Sequence, residues 1–330
     1  MTTLASLRRR YDYALPSIVF AFVLLALNVA IDRSFLDSPN WPSILGVAMP
    51  FLLIAMAAAP AIIAGGVDLS IGPVAGLVNA VLIAGLAANG WTSPLAIIPS
   101  AIAIGFLAGA VNGLVVAVLR VPAIIATLGS YLVISGLTLE VLPMSGGRAP
   151  DWMIGLVGRV GIFPLPLLMP ALVLLVWAPL RASAYGRNLL AAGGEPRAAF
   201  ASGVHIAWTR FVAYVASGVI AAATGFAFTV SLGSGDPTAA APYTLIGIAG
   251  AVLGGVSLSG GKGGLAGAAA GGAVLFLVQN LLSLAHVSAF YAQVAYGAIL
   301  LLALALNGLS ERARRRREAR GLRGVEPAPS

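Results

Sequence analysis

The sequence predicts an all-α, polytopic helical membrane protein with about ten transmembrane helices and both termini in the cytoplasm. Two runs carry that prediction: Leu69 to Leu119 is 51 residues without Asp, Glu, Lys or Arg, and Gly263 to Ser310 is 48. A helix crosses the ~30 Å hydrocarbon layer in ~20 residues, so each run holds two crossings and a turn. Composition agrees: 59% of residues are hydrophobic and 9% charged, with a mean hydropathy of +0.98. A soluble domain carries roughly 25% charge.

The first span is read from Ala14 to Ile31, after Arg8, Arg9 and Arg10. It is longer than the apolar core of a signal peptide, and no Ala-x-Ala site follows before Asp32, so it is expected to be retained. Further spans are expected at 43–63, 69–88, 94–118, 122–142, 164–180, 211–231, 243–258, 264–284 and 290–309. Turn signals separate them, among them Ser38-Pro39-Asn40, Asn89-Gly90 with Ser93-Pro94, and Gly235-Asp236-Pro237. The chain then divides into a cytoplasmic segment 1–13, a membrane domain 14–309 with a cytoplasmic loop 181–210, and a basic tail 310–330.

Orientation follows from the rule that Lys and Arg collect on the cytoplasmic side. With the N-terminus inside, sixteen of the 19 basic residues are cytoplasmic, and only Arg33, Arg148 and Arg159 are outside. Trp41, Trp91 and Trp152 then fall at outer edges, and Trp177 and Trp208 at inner ones, where amphipathic rings prefer to sit. Gly105, Gly109 and Gly113 recur every four residues, as do Gly263, Gly267 and Gly271, which predicts close helix packing.

The net charge of +8 does not indicate nucleic acid, because seven basic residues lie in the tail from Arg312 to Arg323, where anionic membrane lipid is the expected partner. Cysteine is absent, which excludes a disulfide framework and thiolate metal or redox chemistry. His205 and His286 stand alone, and the eleven acidic residues are scattered. No catalytic residue, metal ligand set or bound cofactor is therefore expected.

One motif occurs twice. Gly65-Gly66-Val67-Asp68-Leu69-Ser70-Ile71-Gly72 returns 189 residues later as Gly254-Gly255-Val256-Ser257-Leu258-Ser259-Gly260-Gly261, with six positions identical. Each copy falls on the inner side, which points to duplicated halves in a parallel relation. The paired glycines end or unwind one helix, and Asp68 and Ser70 are placed to cap the next. The motif reads either as a capped tight turn or as a discontinuous helix lining a translocation path. Lys262 does not mark a phosphate loop, since Val256 stands where that motif needs glycine and Gly263 where it needs Ser or Thr.

From Arg181 to Arg210 the apolar character stops. Glu195 suits a helix N-terminus, Pro196 its first position and Gly203 its stop, which predicts about two turns over Arg197 to Ser202. Such a helix, presenting Ala198, Ala199 and Phe200 between charges, is shaped for a groove on another protein.

From about Ser43 to Asn307 the chain resembles the inner-membrane permeases of bacterial ABC importers for monosaccharides of the ribose, xylose and galactose type. The resemblance is carried by Gly-Gly-Val-Asp-Leu-Ser-Ile-Gly at 65–72 and Val-Pro-Ala-Ile-Ile-Ala-Thr-Leu-Gly at 121–129. It continues in Tyr-Gly-Arg-Asn-Leu at 185–189, the 193–204 loop, and Gly-Gly-Val-Ser-Leu-Ser-Gly-Gly-Lys-Gly at 254–263. It implies a multi-pass protein of the bacterial inner membrane, paired with a second permease copy or a paralogue. It also implies two cytoplasmic ATPase subunits that hold ATP and Mg²⁺, and a periplasmic or lipid-tethered sugar-binding protein. By the same resemblance Glu195, Pro196, Arg197, Ala198, Ala199, Phe200 and Gly203 form the coupling loop to the ATPase, although Pro196-Arg197 departs from the commoner pattern.

A sugar path needs hydrogen-bonding groups inside the bundle. Asp68, Ser70, Asn79, Asn112, Thr127, Ser130, Tyr131, Gln279, Asn280 and Gln293 are the candidates, each also suited to interhelical bonding. Branched-chain amino-acid and nucleoside permeases are distantly similar; the Asp-Leu-Ser run after Gly-Gly-Val favours sugars. An ion-coupled secondary transporter commonly keeps ionisable groups at mid-membrane, and none is convincing here.

Overall fold

The computed structural model describes residues 15–37, 39–288, 291, 293–299 and 301. The described residues are helical apart from loops and one small hairpin. Helix α1 is Leu15–Ile31 and α2 Trp41–Ile63, the latter opened by Pro42 in its first turn. Helix α3, Ile71–Ala80, runs on through a wider π turn and a tight turn to Asn89. Helix α4 is Pro94–Gly113, extended by a π turn to Val118; Ser93 Oγ caps its start by accepting from Leu95 N–H at 3.1 Å. Helix α5 is Ala123–Val141, followed by the short α6 Asp151–Ile154 and by strands β1 Arg159–Val160 and β2 Phe163–Pro164. Then come α7 Leu168–Ala182, α8 Ala184–Gly194, α9 Pro196–Ala201, α10 Ile206–Leu232, α11 Tyr243–Leu253 and α12 Leu265–Leu284.

Among the described residues seven helices are long and apolar enough to cross a membrane, where the sequence predicts about ten spans. They are Trp41–Ile63, Ile71–Asn89, Pro94–Val118, Ala123–Val141, Leu165–Ala182, Ile206–Leu232 and Leu265–Leu284. The expected span 243–258 is the 11-residue α11, because Pro242 stands at its N-terminal cap and the Gly254-Gly255 pair ends it. The expected first span is the 17-residue α1. The expected span 290–309 falls mostly outside the described residues, as do segment 1–13 and the basic tail.

Helix α2 is the hub. It is apolar all round, and Leu53 to Ala64 is buried at 0–1% exposure, Pro60 included among the buried residues, so neighbours cover every face. Helix α5 is the opposite case: Ile124, Ile125, Leu128, Leu132, Val133, Leu137 and Leu139 are all exposed. On a chain of this composition such a surface belongs against lipid or another apolar chain.

The glycine repeats pack as their spacing predicts. A Cβ on Gly105 or Gly109 would come within 2.4 Å of Gly218 O or 2.5 Å of Tyr214 O, so α4 and α10 touch backbone to backbone. Helices α11 and α12 meet in the same way, with a Cβ on Gly271 only 1.9 Å from Gly250 O.

The loops sort to two ends of the bundle. At one end Gly146 and Gly235 exchange N–H···O bonds of 2.9 Å, and Trp152 Nε1 donates to Thr92 O at 2.7 Å. Asp236 lies here. Burial pushes its carboxyl up, but donors from Thr238, Ala239 and Ser145 outweigh that and hold it below the usual carboxylate range. The repeated motif and the 181–210 segment gather at the opposite end.

Candidate functional site

At the end that carries the polar segment, three helices stop by the same device. Helix α2 ends with Gly65 at φ 83°, its N–H donating to Ile62 O and that of Gly66 to Ala61 O, both at 2.9 Å. Helix α11 ends with Gly255 at φ 83°, its N–H on Val252 O and that of Val256 on Ala251 O, both at 3.0 Å. Helix α9 ends with Gly203 at φ 83°, its N–H on Phe200 O (2.9 Å) and that of Val204 on Ala199 O (3.0 Å). Each is a glycine closure in the left-handed region, which a side chain would strain. The first two turns correspond at a spacing of 190, one more than the 189 of the residue match, because Gly65 does the work of Gly255 rather than Gly254. Asp68 and Ser257 therefore do not hold equivalent places.

The glycines also meet one another. A Cβ on Gly193 would lie 1.8 Å from Ile63 O and 2.7 Å from Gly261 N; one on Gly260 would lie 2.6 Å from Gly193 O and 3.0 Å from the Gly65 Cα. Gly261 N–H donates to Ile63 O at 2.9 Å. The end of α8, the break after α2 and the loop after α11 thus form a contact made of backbone alone. Arg210, on α10, closes it by donating from Nε to Ala64 O at 3.2 Å.

The α9 segment follows directly. Pro196 opens the helix and Gly203 closes it, near the Arg197–Ser202 expected. Glu195, Arg197, Ala198 and Phe200 are exposed, Phe200 at 74%, whereas Ala199 is buried at 5% and faces the protein rather than a partner.

After Gly66 the chain does not resume a helix until Ile71. Asp68 Oδ1 accepts from Ser70 N–H (2.9 Å) and Ser70 Oγ (2.6 Å), so Asp68 turns the chain into α3. Ser70 does not cap α3; its hydroxyl accepts from Asn112 Nδ2 at 2.8 Å. Ser130 Oγ donates to Asn112 Oδ1, and Thr127 Oγ1 lies 3.2 Å from Val67 O. Thr244 Oγ1, at the start of α11, accepts from Gly72 N–H and donates to Leu69 O, each at 3.2 Å. Asp68, Ser70, Asn112, Thr127 and Thr244, all buried, and the half-buried Ser130 therefore form one polar node where two broken segments meet. Asp68 Oδ2 and Tyr214 Oη are buried there without a hydrogen-bond partner.

The other candidate path residues lie elsewhere. Asn79 Nδ2 donates to Thr229 Oγ1 (3.0 Å) and Ser234 O (3.1 Å), and its Oδ1 accepts from Asp236 N–H (2.8 Å), pinning the far loop. Asn280 Nδ2 donates to Asn28 Oδ1 (2.8 Å) and Tyr296 Oη to Gln279 Oε1, which ties α12 to α1 and to the 293–299 segment. Gln293 is exposed and Tyr131 half-buried. Sequence reasoning missed Thr244, Tyr214 and Arg210, since nothing in their local pattern distinguishes them from ordinary helix residues. Among the described residues no group of three or more His, Cys, Asp or Glu gathers as a metal site would.

A family model described as "Branched-chain amino acid transport system / permease component" matches residues 41–304. The ribose import permease protein of Escherichia coli K12 is 32% identical, over 87% of this chain and 91% of that protein. The ribose import permease protein of Bacillus subtilis strain 168 is 34% identical over 87% and 90%. The autoinducer 2 import system permease protein LsrC of Enterobacter sp. strain 638 is 32% identical over 89% and 86%. No solved structure matches the chain. With its long apolar helices, this kinship makes the chain a multi-pass protein of the bacterial inner membrane and a transport subunit, not an enzyme. The chain belongs to the permease family of carbohydrate ABC importers, the group that includes the ribose, allose and autoinducer 2 import permeases.

Proposed function

We propose that this permease carries a monosaccharide inward across the membrane, driven by ATP hydrolysis on partner ATPase subunits. Those subunits hold the ATP and Mg²⁺, a second permease copy or a paralogue completes the pore, and a sugar-binding protein delivers the substrate from outside. The names of the ribose and allose relatives support the substrate class.

The observation that carries the mechanism is the glycine contact among residues 65, 193, 260 and 261. Helix α9 is the knob gripped by the ATPase, with Phe200 as its exposed anchor and Glu195, Arg197 and Ala198 beside it. Motion there reaches Gly193 through Gly194 and Glu195 alone, and Gly193 rests on the backbone of both breaks with no side chain between to absorb it. The breaks carry the polar node of Asp68, Ser70, Asn112, Thr127 and Ser130, which lines the path and offers hydroxyl-compatible hydrogen bonds. Alternating access is then a tilt of the broken segments about the glycine contact.

The family model's description favours a second cargo class, branched-chain amino acids. Uptake of labelled ribose, leucine and uridine by the complete complex separates the readings. ATP-dependent accumulation of ribose alone supports the proposal, and accumulation of leucine or uridine in its place rejects it.

A further inference from the structure

Between α9 and the Gly65-Gly66 break lies a cavity of about 740 Å³; the transport reading uses Gly65 and Phe200 of its lining but gives no role to Arg120 or His205. Its polar lining is cationic or neutral: Arg120, Arg210 and His205 contribute, and no Asp or Glu does. Neither arginine is ion-paired with a described carboxylate. Arg210 spends its Nε on Ala64 O, and its Nη2 would lie 3.6 Å from a Cβ on Gly65. Arg120 stands exposed at the turn between α4 and α5. Tyr214 also lines the cavity, but its hydroxyl is buried in the polar node behind the break and is closed to an occupant. The remaining wall is apolar, with Val116, Pro122, Ile206 and Trp208 among it.

Two guanidinium groups beside apolar surface match a phosphate ester that carries an organic group. Guanidinium forks pair with phosphate oxygens in parallel. We propose that this cavity binds a phosphate ester, with Arg120 and Arg210 on the anion. An occupant there lies against both the coupling helix and the first break, so it would bias the tilt between them. Two sources share this chemistry: the headgroup of an anionic phospholipid, reached along the exposed face of α4 and α5, or a soluble phosphorylated metabolite.

The test uses the full chain in phosphatidylcholine nanodiscs. In one arm phosphatidylglycerol is added and its retention is read by native mass spectrometry. In the other, glycerol phosphate is titrated while tryptophan fluorescence is followed, since Trp208 lines the cavity. Retention of the lipid assigns the lipid source, and saturable fluorescence change with the soluble ester assigns the other. In either arm Arg120→Gln is expected to weaken binding at least tenfold, while Arg187→Gln, outside the cavity, leaves it unchanged. Arg120 is exposed, so its variant folds whether or not the Arg210 contact to Ala64 is needed for stability. Binding in neither arm, or binding that Arg120→Gln leaves intact, overturns the proposal.

Discussion

Gly193→Ala tests the glycine contact at its tightest point. The added Cβ would lie 1.8 Å from Ile63 O. Taking ~3.3 Å as an ordinary carbon to oxygen contact, the backbones must part by about 1.5 Å. The same atom would sit 2.7 Å from Gly261 N, across the 2.9 Å hydrogen bond from Gly261 to Ile63. Overpacking costs about 1–3 kcal/mol and a buried group left unpaired about 1–3 kcal/mol. The better helix propensity of alanine returns about 1 kcal/mol, so the net loss is about 3 kcal/mol. Gly194→Ala is the built-in control: its Cβ has no neighbour nearer than 3.5 Å, at Gly261 Cα, and the residue is exposed. Thermal unfolding in detergent should show Gly193→Ala several degrees less stable and Gly194→Ala equal to the parent or above it. Equal midpoints for the two variants would show that the three segments do not touch through backbone, and the coupling route would fall with that contact.

Phe200→Asp, on an exposed side chain, should change folding stability by no more than about 0.5 kcal/mol and abolish ATP-driven uptake; undiminished uptake would remove α9 from the coupling role. Gly203→Pro should do more, since proline cannot take the φ of 83° that closes α9, and circular dichroism with uptake reads both losses. Asn112→Leu strips Ser70 and Ser130 of their shared partner; it should cost about 2–3 kcal/mol and cut uptake at least tenfold, whereas stable folding with normal uptake would make the node structural filler. Asp236 is held below its ordinary range, so its contribution is present above the unfolded carboxylate pKa and lost as pH falls through the folded one. The protection of residues 233–239 from hydrogen exchange, taken relative to the intrinsic rate at each pH, should therefore fall on acidification in the parent and not in Asp236→Asn.

The long apolar helices were legible because bilayer thickness dictates their length, and no tertiary information is needed to see a run such as Leu69 to Leu119. The shorter α11 was not, since its apolar stretch runs on past the point where Gly254 and Gly255 close the helix. Pro196 and Gly203 gave α9 almost to the residue, because capping is local chemistry. The polar node was half legible: Asp68, Ser70, Asn112, Thr127 and Ser130 stood out as polar residues in apolar surroundings, yet Asn79, Gln279 and Asn280 stood out equally and bond elsewhere. Which polar residues share a site depends on how helices pack, and that is set by glycine contacts between segments over a hundred residues apart. Thr244 and Tyr214 entered the site by that route.

The central claim is that this chain is a conduit with no motor of its own. Reconstitute the permease in proteoliposomes with and without its ATPase subunits, supply ATP on the ATPase side and labelled sugar with its binding protein on the other, and measure the concentration ratio reached. Accumulation against the gradient only when ATPase and ATP are both present is the expected result. Uphill accumulation by the permease alone, without nucleotide, would contradict it.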